Sequence, residues 1–350
     1  MKKIWKILLA VLIVIVAAVV LLLAWLTITE YRPAAVEQLS VNGTADSGAL
    51  PGDRELSVLS WNIGYAGLGK YSDFFMDGGT EVKAASKAQV TEYLAGIDAA
   101  IEDMAPDLIM LQEVDVDSSR SYHIDESAGL ARAQSVHALN YSCSFVPYPL
   151  PPIGSVHSGL FTTADYKIEH AERIALPCPF SWPVSTANLK RCLLVSYLPI
   201  EGSDKQLVLV NLHLEAYDDG EGKIAQTNQL RDFICGEYEK GNYVIAGGDF
   251  NQVFPGSLDV YPNKHTELWT PGVLDESMLP DGWTLACDPG SPTCRLLNQP
   301  YDHSDDANTQ HYVIDGMIVS PNVELTQVKT IDLGFENSDH NPVTITVRLK

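Results

Sequence analysis

The stretch VIAGGDFNQVFPG, residues 244–256, changes character halfway along its length. An apolar run typical of a buried strand leads into two glycines, and Asp249, Phe250 and Asn251 follow at once. Asp and Asn side chains bond to nearby backbone, so a single case predicts no more than a turn. The pattern favours a functional site only if other strands end in the same way.

Other strand-like runs in the chain do end at polar side chains. These ends are Asn62 after LSVLSW, Glu113 after DLIMLQ, His213 after LVLVNL, Asp315 after YVI, and Asp339 and His340 in the NSDHNPV segment before the last strand. Alone, each residue also fits a turn, a loop or a satisfied core histidine. If the strand ends share one edge of a two-sheet core, all of them converge on one cleft. Their joint occurrence favours that interpretation.

These residue types suit phosphoester chemistry with a hard divalent cation. Mg²⁺ prefers oxygen ligands and keeps several waters, and it is usually held by one or two carboxylates together with substrate phosphate. Glu113, Asp249 and Asp339 are the candidate carboxylate ligands. Asn62 and Asn251 would hold metal waters or phosphate oxygens without adding negative charge. We therefore expect Mg²⁺ as the cofactor, with Mn²⁺ or Ca²⁺ as alternatives.

Two histidines and one aspartate are candidates for proton transfer. His340 is predicted to act as general base on water, because its unperturbed pKa lies near neutrality, and Asp315 is predicted to orient it. The two side chains should then lie within hydrogen-bonding distance, roughly 2.6–3.2 Å. His213 would donate to a phosphoryl oxygen or to the leaving group. Arg120 and Arg191 are candidates for phosphate binding, because a guanidinium binds phosphate in a fork, although each could be a surface charge.

Periodicity divides the rest of the chain into helices and strands. Helices are expected at 81–104, 130–139 and 221–239, strands at 55–62, 107–113, 158–163, 166–174, 191–199, 206–215, 311–320, 323–333 and 342–350, and long loops within 255–310. The runs at 158–163 and 166–174 are expected to pair as a hairpin. Many strands and few helices predict an α+β domain over residues 55–350, in which two packed sheets carry helices on the outside.

The first 32 residues have the composition of a membrane anchor. Lys2, Lys3 and Lys6 precede residues 7–26, which carry no charge and match the roughly 20 apolar residues of a membrane-spanning helix. A signal peptide has a shorter apolar region and a small-residue cleavage site, which TITEYRPAAVEQ does not offer, but cleavage stays open as the alternative. The positive-inside rule places the N-terminus in the cytoplasm and the domain outside the cell. Residues 33–54 are small and polar and are expected to be a linker.

The charge and the cysteines exclude several other classes of protein. The formal net charge is −22, whereas duplex nucleic acid is bound by Lys and Arg that neutralise phosphates. Extended nucleic-acid binding is therefore not expected, and no protein partner is predicted; an acidic surface also serves solubility. Cys287 and Cys294 flank the turn-rich DPGSPT and either pair or remain free thiols. Because C-x-x-C and H-x3-5-H spacings are missing from the sequence, a structural zinc site is not expected.

Taken together and in this order, six stretches resemble the endonuclease/exonuclease/phosphatase family. They are SWN (60–62), PDLIMLQEV (106–114), NLHL (211–214), GGDFN (247–251), IDG (314–316) and SDHNPV (338–343). The resemblance covers about residues 55–350. It implies a four-layer α/β-sandwich of two mixed sheets flanked by helices, and an enzyme that hydrolyses phosphoesters.

The resemblance also implies a role for each matching residue. By this resemblance Glu113 binds the metal with Asp339 beside it, and Asn62 and Asn251 are the amides on the metal and phosphate side. Asp249 aligns or activates the nucleophile, and Asp315 and His340 are the catalytic pair. His213 corresponds to the histidine of deoxyribonuclease- and sphingomyelinase-type members. Some nuclease members carry an acidic residue two positions after the first Asn. This chain has Gly64 there, so the number of metal ions stays open.

Two further segments bear on the substrate without choosing it. The loop at 64–79 is long, glycine-rich and aromatic, so it either closes over a ligand or packs on itself at the surface, and PYPLPPIG (147–154) is either a second rim or a stiff connector. The leading hypothesis is a membrane-anchored, extracellular, Mg²⁺-dependent phosphatase or phosphodiesterase acting on a small or lipid-borne phosphate. The alternatives are an extracellular nuclease, whose negative charge a bound metal would offset locally, and a catalytically inactive binding module on the same fold.

Overall fold

The computed structural model describes residues 2–44, 48–218, 220–305 and 308–350. The strands, in chain order, are β1 (Val36–Leu39), β2 (Asn42–Gly43), β3 (Leu56–Asn62), β4 (Leu108–Asp115), β5 (Gln134–Val146), β6 (Gly154–Ala164), β7 (His170–Ala175), β8 (Cys192–Pro199), β9 (Gln206–His213), β10 (Tyr243–Asp249), β11 (Gln252–Val253), β12 (Gly272–Val273), β13 (Thr284–Ala286), β14 (Cys294–Arg295), β15 (His311–Tyr312), β16 (Asp315–Val319), β17 (Val323–Thr330) and β18 (Val343–Leu349). The helices are α1 (Lys2–Ile28), α2 (Lys87–Met104), α3 (Glu126–Leu130), α4 (Glu221–Glu239) and α5 (Ser257–Val260).

Most of the strands form two seven-stranded mixed sheets. The first sheet has the order β1-β7-β8-β9-β10-β16-β13, and the second has the order β17-β18-β3-β4-β6-β5-β2. In the first sheet β9 and β10 are parallel, and in the second β3 and β4 are parallel; the other neighbours are antiparallel. Central strands such as β9 are apolar on both faces, because one face meets the other sheet and the other face meets a helix.

The two sheets stack face to face and share one apolar core. Met110 and Ile345 of the second sheet belong to the same buried cluster as Leu209, Ile245 and Met317 of the first. Burial of such side chains away from water is the main stabilising contribution to this packing. Strand ends from both sheets can therefore meet at one edge of the sandwich, as the sequence predicts.

A helix covers the outer face of each sheet. Leu230 of α4 packs with Val208 on the first sheet, and Val90 of α2 packs with Leu111 on the second. The side chain of Ser86 caps α2 by accepting the backbone N–H of Gln89 at 3.1 Å, which satisfies one of the unpaired donors at a helix start. The arrangement is helix, sheet, sheet, helix, so the predicted four-layer α/β-sandwich is confirmed.

The helix expected at residues 130–139 is wrong. Helix α3 ends at Leu130, and residues 134–146 form the long strand β5 beside β6. Val136 and Ala138 are fully buried, whereas His137 between them is half-buried, which is the period of a strand. The segment LARAQSVHAL is rich in helix-forming residues, and tertiary packing overrides that local preference.

The hairpin expected from residues 158–163 and 166–174 is also wrong. Strand β6 lies between β4 and β5 in the second sheet, whereas β7 lies between β1 and β8 in the first. The chain crosses from one sheet to the other after Ala164, and both Ala164 and Ile168 are buried in the core between the sheets. Closeness in sequence therefore does not give pairing here, because each strand finds its partners in a different layer.

Two other segments differ from the sequence expectation. Part of the expected linker joins the sheets, because β1 pairs with β7 and β2 pairs with β5; residues 45–47 lie outside the described part of the chain. The expected strand at 311–320 is divided into β15 and β16, which pair with different neighbours. Cys287 and Cys294 are free thiols.

The N-terminal helix α1 is 27 residues long. Among the described residues it is the one helix long and apolar enough to cross a membrane, and its most apolar window makes no buried contact with the domain. Its C-terminal end does contact the domain, because Leu26 is buried against Cys143 and Val156. Two polar contacts hold the same region: the Trp182 indole donates to the Thr27 hydroxyl at 3.0 Å, and the Lys190 ammonium lies 2.9 Å from a Glu30 carboxylate oxygen.

Candidate active site

The predicted site residues of the first sheet lie side by side at one edge of that sheet. Asp249, the last residue of β10, is the register partner of His213 on β9 and of Asp315 on β16. In the second sheet Asn62 ends β3 beside Gln112 of β4, and Glu113 follows within β4, which continues to Asp115 and does not end at Glu113 as the sequence predicts. The stacked sheets bring these two edges together, since the Asn62 side-chain amide donates to an Asp249 carboxylate oxygen at 3.1 Å.

His340 and Asp315 form the hydrogen bond that the sequence predicts. The distance between His340 Nδ1 and Asp315 Oδ2 is 2.8 Å, and both side chains are buried. The backbone around His340 is held on both sides: the Trp61 indole donates to its carbonyl at 2.8 Å, and its own N–H donates to the Ser338 hydroxyl at 3.1 Å. The Thr293 hydroxyl accepts the backbone N–H of Asp315 at 3.1 Å. Both members of the pair therefore have fixed positions.

The second ring nitrogen of His340 lies among carboxylates. Its Nε2 is 3.8 Å from Asp249 Oδ2 and 3.8 Å from Asp339 Oδ2. Burial lowers the pKa of His340, but Asp315, Cys294 and Asp339 outweigh burial and hold that pKa well above its ordinary value. An imidazole whose Nδ1 is bonded to a carboxylate and whose Nε2 faces a cavity is placed to exchange a proton there.

Asp249 lies at the centre of the cluster. Its Oδ2 accepts from Asn62 and lies 3.5 Å from His213 Nε2, while its Oδ1 accepts the backbone N–H of Asn251 at 2.8 Å. Burial, and after it the charge of Asp315, raises the pKa of Asp249 to about 7. His213 is buried, and burial together with Arg191 lowers its pKa well below the ordinary value. His213 is therefore neutral and suits hydrogen-bond donation better than proton transfer.

Glu113 projects from an irregularity in β4. The pairing of β4 with β6 shifts register between Leu111 and Val114, and Glu113 has a left-handed backbone with φ 56°. Such a conformation costs on the order of 1–3 kcal/mol in a residue other than glycine and is found at functional sites. A bulge also re-aims a side chain beside an active site. Here Glu113 Oε1 accepts from the Asn62 amide at 3.3 Å, which brings the carboxylate to the cluster.

Asn251 shows the same kind of strain, with φ 50°. Asparagine tolerates this region better than most residues. Its side-chain amide donates to the Leu214 carbonyl at 2.8 Å, and the residue borders the same cavity as Asp249. The GGDFN segment therefore leaves the sheet through a fixed turn, which keeps Asn251 near the carboxylates of the candidate site.

The two arginines predicted to bind phosphate are buried and paired with protein carboxylates. Arg120 forms a fork with Asp115, at 2.9 and 3.1 Å, and stacks over the ring of Tyr65 at 3.8 Å. Arg191 bonds to Glu215 at 3.1 Å and donates to the His213 carbonyl at 3.0 Å. The alternative of a surface charge is wrong for both. Both border the cavity, so a contact with phosphate stays a prediction.

The donor set fits a hard divalent cation. Burial raises the pKa of Asp339 to about 6, and the neighbouring charge of Glu113 adds to the increase. Carboxylates crowded together away from water repel each other, and a cation between them would relieve that repulsion. Among the described residues, two trios of metal-capable groups have ligand atoms within 4.8 Å of one another, Cys294–Asp339–His340 and Asp249–Asp315–His340. Neither trio includes Glu113, and Cys294 contributes a soft sulfur donor. The identity of the ion does not follow from these groups.

Gly64 occupies the position where some nucleases carry an acidic residue. Its φ is +52°, and a Cβ there would lie 2.8 Å from Asp339 Oδ1. The backbone N–H of Gly64 also donates to the Asn62 side chain at 3.0 Å. The Asp339 carboxylate therefore occupies the space where a side chain at residue 64 would lie, and any such side chain would displace that carboxylate.

Sequence reasoning missed Asp77. The loop at 64–79 lines the cavity, and its Asp77 carboxylate accepts the hydroxyl of Tyr217 and the backbone N–H of Leu297, each at 3.3 Å. Burial raises the pKa of Asp77 to about 6. The signal in the sequence is an acidic residue at the end of an aromatic loop, FFMDGG. That pattern does not distinguish a buried cavity wall from a surface turn.

A cavity of about 640 Å³ extends from these side chains to the C-terminal end of α1. We call the part of the cavity bordered by Glu113, Asp249 and His340 its inner end, and the part bordered by Leu23 and Leu26 of α1 its outer end. The segment at 147–154 contributes to the outer rim through Pro147, Tyr148 and Ile153. The two rim segments indicated by the sequence therefore both border the cavity.

Comparisons with known proteins bear on the family and the fold of the chain. The model of the endonuclease/exonuclease/phosphatase family matches residues 59–340. No curated protein matches the chain in sequence. Among solved structures, the endonuclease/exonuclease/phosphatase from Beutenbergia cavernae DSM 12333 aligns with a TM-score of 0.55 at 19% identity, covering 85% of this chain and 72% of that one.

Two further solved structures show the same fold. The endonuclease/exonuclease/phosphatase from Bacteroides vulgatus aligns with a TM-score of 0.52 at 16% identity, covering 85% of this chain and 100% of that one. ANGEL2, a 2′,3′-cyclic phosphatase solved with adenosine-2′,3′-vanadate, aligns with a TM-score of 0.53 at 14% identity, covering 89% and 99%. At these identities the structural likeness speaks for the fold alone.

Proposed function

Because the chain belongs to the endonuclease/exonuclease/phosphatase family, whose model spans residues 59–340, we propose that it is a membrane-anchored, extracellular, Mg²⁺-dependent phosphoester hydrolase. The observation that carries the proposal is the hydrogen bond between His340 Nδ1 and Asp315, together with the position of His340 Nε2, which lies 3.8 Å from each of two more carboxylates at the inner end of a cavity. This arrangement favours a catalytic role over the alternative of an inactive binding module.

The proposed reaction is the attack of water on phosphorus. The water oxygen forms a bond to phosphorus while the bond from phosphorus to the ester oxygen breaks. His340 Nε2 takes the water proton, Asp315 stabilises the imidazolium that results, and the leaving oxygen takes a proton from solvent. Asp249, 3.8 Å from His340 Nε2, aligns the water. His213 and Asn251 donate hydrogen bonds to phosphoryl oxygens.

We assign Glu113, Asp339 and Asn62 to the cation. When bound, Mg²⁺ would supply charge stabilisation for the phosphoryl oxygens, a contribution worth several kcal/mol in metal-dependent catalysis. The two carboxylates supply the negative charge. The Asn62 carboxamide bonds to Glu113 of its own sheet and to Asp249 of the other sheet, so it connects the two sheets at the site. A cation beside Asp339 would also offset part of the charge that raises the pKa of His340.

Arg120 and Arg191 are proposed to act mainly through their neighbours. Arg120 lies 3.8 Å from a Glu113 carboxylate oxygen while it is held by Asp115, so it fixes the strand end that carries Glu113. Arg191 donates to the carbonyl of His213 and so fixes the end of β9. A direct contact with substrate phosphate remains part of the proposal for both.

The anchor and its orientation are also proposals. Helix α1 is apolar over its length, and lysines lie only at its N-terminal end, which favours a cytoplasmic N-terminus and a catalytic domain outside the cell. Protease treatment of intact cells should degrade the domain, and without protease the domain should stay associated with the membrane. Recovery of the domain in the culture medium, cut near residue 30 of the sequence, would show a cleaved signal peptide in place of an anchor.

Activity can be tested with the full-length protein in detergent micelles. The substrates are p-nitrophenyl phosphate, bis-p-nitrophenyl phosphate, single-stranded DNA, a phosphorylated sugar and sphingomyelin, each with Mg²⁺ and with EDTA. We expect hydrolysis of at least one phosphoester with Mg²⁺, loss of hydrolysis in EDTA, and recovery when Mg²⁺ is restored. Activity that survives EDTA, or a folded protein inactive on every substrate, would contradict the proposal.

A further inference from the structure

The cavity joins the catalytic residues to the helix that is proposed to cross the membrane. Its outer wall is apolar and includes Leu23 and Leu26 from α1, together with Phe180, Val184 and Ile153 from the domain. Its inner end holds the carboxylates and histidines described above. A small, water-soluble phosphoester would occupy only the inner end. The apolar length of the cavity fits a substrate that carries a hydrocarbon portion.

The domain packs against the C-terminal end of α1 and the residues that follow it. Leu26 is 3% exposed, the Trp182 indole donates to Thr27, and Lys190 bridges Glu30 of the chain just beyond α1 to the Ser185 carbonyl at 2.8 Å. These contacts fix the outer end of the cavity at the level where α1 would leave a bilayer. A chain that needed only to be tethered near a membrane would not require them.

Exposed apolar side chains lie on the two segments that reach the same end of the cavity: Tyr148 and Val184 line it, Trp182 bonds to Thr27 of α1, and Leu150 lies two residues after Tyr148. Tyr148, Leu150, Trp182 and Val184 are 69%, 89%, 59% and 56% exposed. Water-exposed apolar residues grouped in this way mark a contact surface. Trp and Tyr are also enriched where a membrane protein meets the headgroup layer. We call these four residues the apolar rim.

We propose that the apolar rim rests in the bilayer that holds α1, and that the substrate is a lipid phosphoester taken from that same leaflet. This inference rests on the proposed function. The phosphate of the lipid headgroup reaches His340 and Asp249, and the hydrocarbon portion stays against the apolar wall between the domain and α1. The reaction remains the one described above, with water as the only co-reactant.

Catalysis on vesicles tests the substrate class. Full-length protein is reconstituted into phosphatidylcholine vesicles that carry phosphatidic acid, phosphatidylglycerol or sphingomyelin as the probe, and bis-p-nitrophenyl phosphate is assayed in parallel. Leu150→Asp should lower lipid turnover about tenfold, the order expected for losing one buried leucine contact and adding a charge, and should leave turnover of the soluble diester unchanged. Val260→Asp, at an exposed apolar residue of α5 that does not belong to the apolar rim, is the matched control and should change neither.

Each other outcome counts against the inference in a distinct way. Hydrolysis of the soluble diester with none of the three lipids hydrolysed would overturn the lipid substrate and leave the proposed function standing. An equal loss on lipid and soluble diester in Leu150→Asp would show a general structural effect and overturn the docking role of the rim. A folded protein with no phosphoesterase activity would overturn both proposals.

A second measurement reports on docking without catalysis. Vesicles of phosphatidylcholine brominated on the acyl chains quench tryptophan that reaches the hydrocarbon. The quenched fraction of fluorescence should fall in Trp182→Phe, and it should not fall in Trp283→Phe, whose ring packs against Tyr238 on α4. A quenched fraction that stays the same or rises in Trp182→Phe would show that the Trp182 indole does not reach the hydrocarbon, and would contradict the inference.

Discussion

The two ends of the cavity differ in polarity and in how firmly their side chains are held. The inner end is made of strand ends, with buried carboxylates whose hydrogen bonds fix each side chain, and two of its residues, Glu113 and Asn251, have strained backbones. The outer end is made of loops and α1, with apolar side chains that are exposed, such as Leu150. Rigid polar geometry suits chemistry at one reacting atom, whereas an adaptable apolar surface suits the selection and placement of a substrate. Substitutions at the two ends should therefore have different effects.

The largest effect is expected for Glu113→Gln at the inner end. The substitution keeps the size of the side chain but removes the charge assigned to the cation, so turnover should fall by about 10³-fold or more, as the loss of several kcal/mol of metal-derived stabilisation predicts. Circular dichroism and unfolding temperature should remain close to wild type. Glu102→Gln, on the exposed face of α2, is the control and should retain full activity. Activity of Glu113→Gln close to wild type would remove Glu113 from the cation site.

The proposed catalytic pair, His340 and Asp315, should show the next largest effect. His340→Ala is expected to lower kcat at least about 10²-fold, the lower range for loss of a general base. Asp315→Asn should cost somewhat less, because the imidazole stays in place with a poorer partner. Stopped assays with Mg²⁺ in excess measure both. His123→Ala, which removes an exposed histidine paired with Asp117, should leave kcat unchanged. A smaller loss in His340→Ala than in Asp315→Asn would contradict the assigned roles.

A smaller effect is expected from backbone geometry at the inner end. Gly64→Ala puts a methyl group 2.8 Å from Asp339 at a left-handed position, so it should lower the free energy of unfolding by about 1–3 kcal/mol. Urea denaturation measures this change. Gly129→Ala is the matched control, since a Cβ at residue 129 meets nothing within 4 Å. An unchanged unfolding free energy in Gly64→Ala would mean that Asp339 can move aside, and that the inner end is less rigid than described.

The same contrast explains which features the sequence predicts. Strand ends are predictable in part, because an apolar run fixes the strand, and Asp249 does end β10. Asp315 instead begins β16 and meets Asp249 because β16 is antiparallel to β10, and His340 precedes β18. The sequence therefore predicts that Asp249, Asp315 and His340 lie together, but not which end of its strand Asp315 occupies. Asp77 escapes prediction, because its loop has no period and only tertiary packing buries its carboxylate. For residues 130–139 the sequence predicts a helix, because their Ala, Leu, Gln and Arg favour a helix locally and only the pairing of β5 with β6 decides otherwise.

The outer end is predictable only in part. Helix α1 is evident from composition, but its contact with the domain is not, because a burial contact such as that of Leu26 depends on the distant strands β5 and β6. The pairing of β1 and β2 with the sheets is hidden for a similar reason: edge strands of a few small and polar residues carry no clear alternation. Local sequence patterns do not predict features that depend on long-range contacts at the edges of the fold.

The central claim is that water attacks phosphorus at the inner end of the cavity. It is tested most directly by hydrolysis of bis-p-nitrophenyl phosphate in H₂¹⁸O by the full-length protein with Mg²⁺, followed by ³¹P NMR of the product. The account predicts one ¹⁸O atom in each p-nitrophenyl phosphate formed, no product in EDTA, and product formed at least about 10²-fold more slowly by His340→Ala. Product phosphate without ¹⁸O, or labelled product formed at an undiminished rate by His340→Ala, would contradict the account.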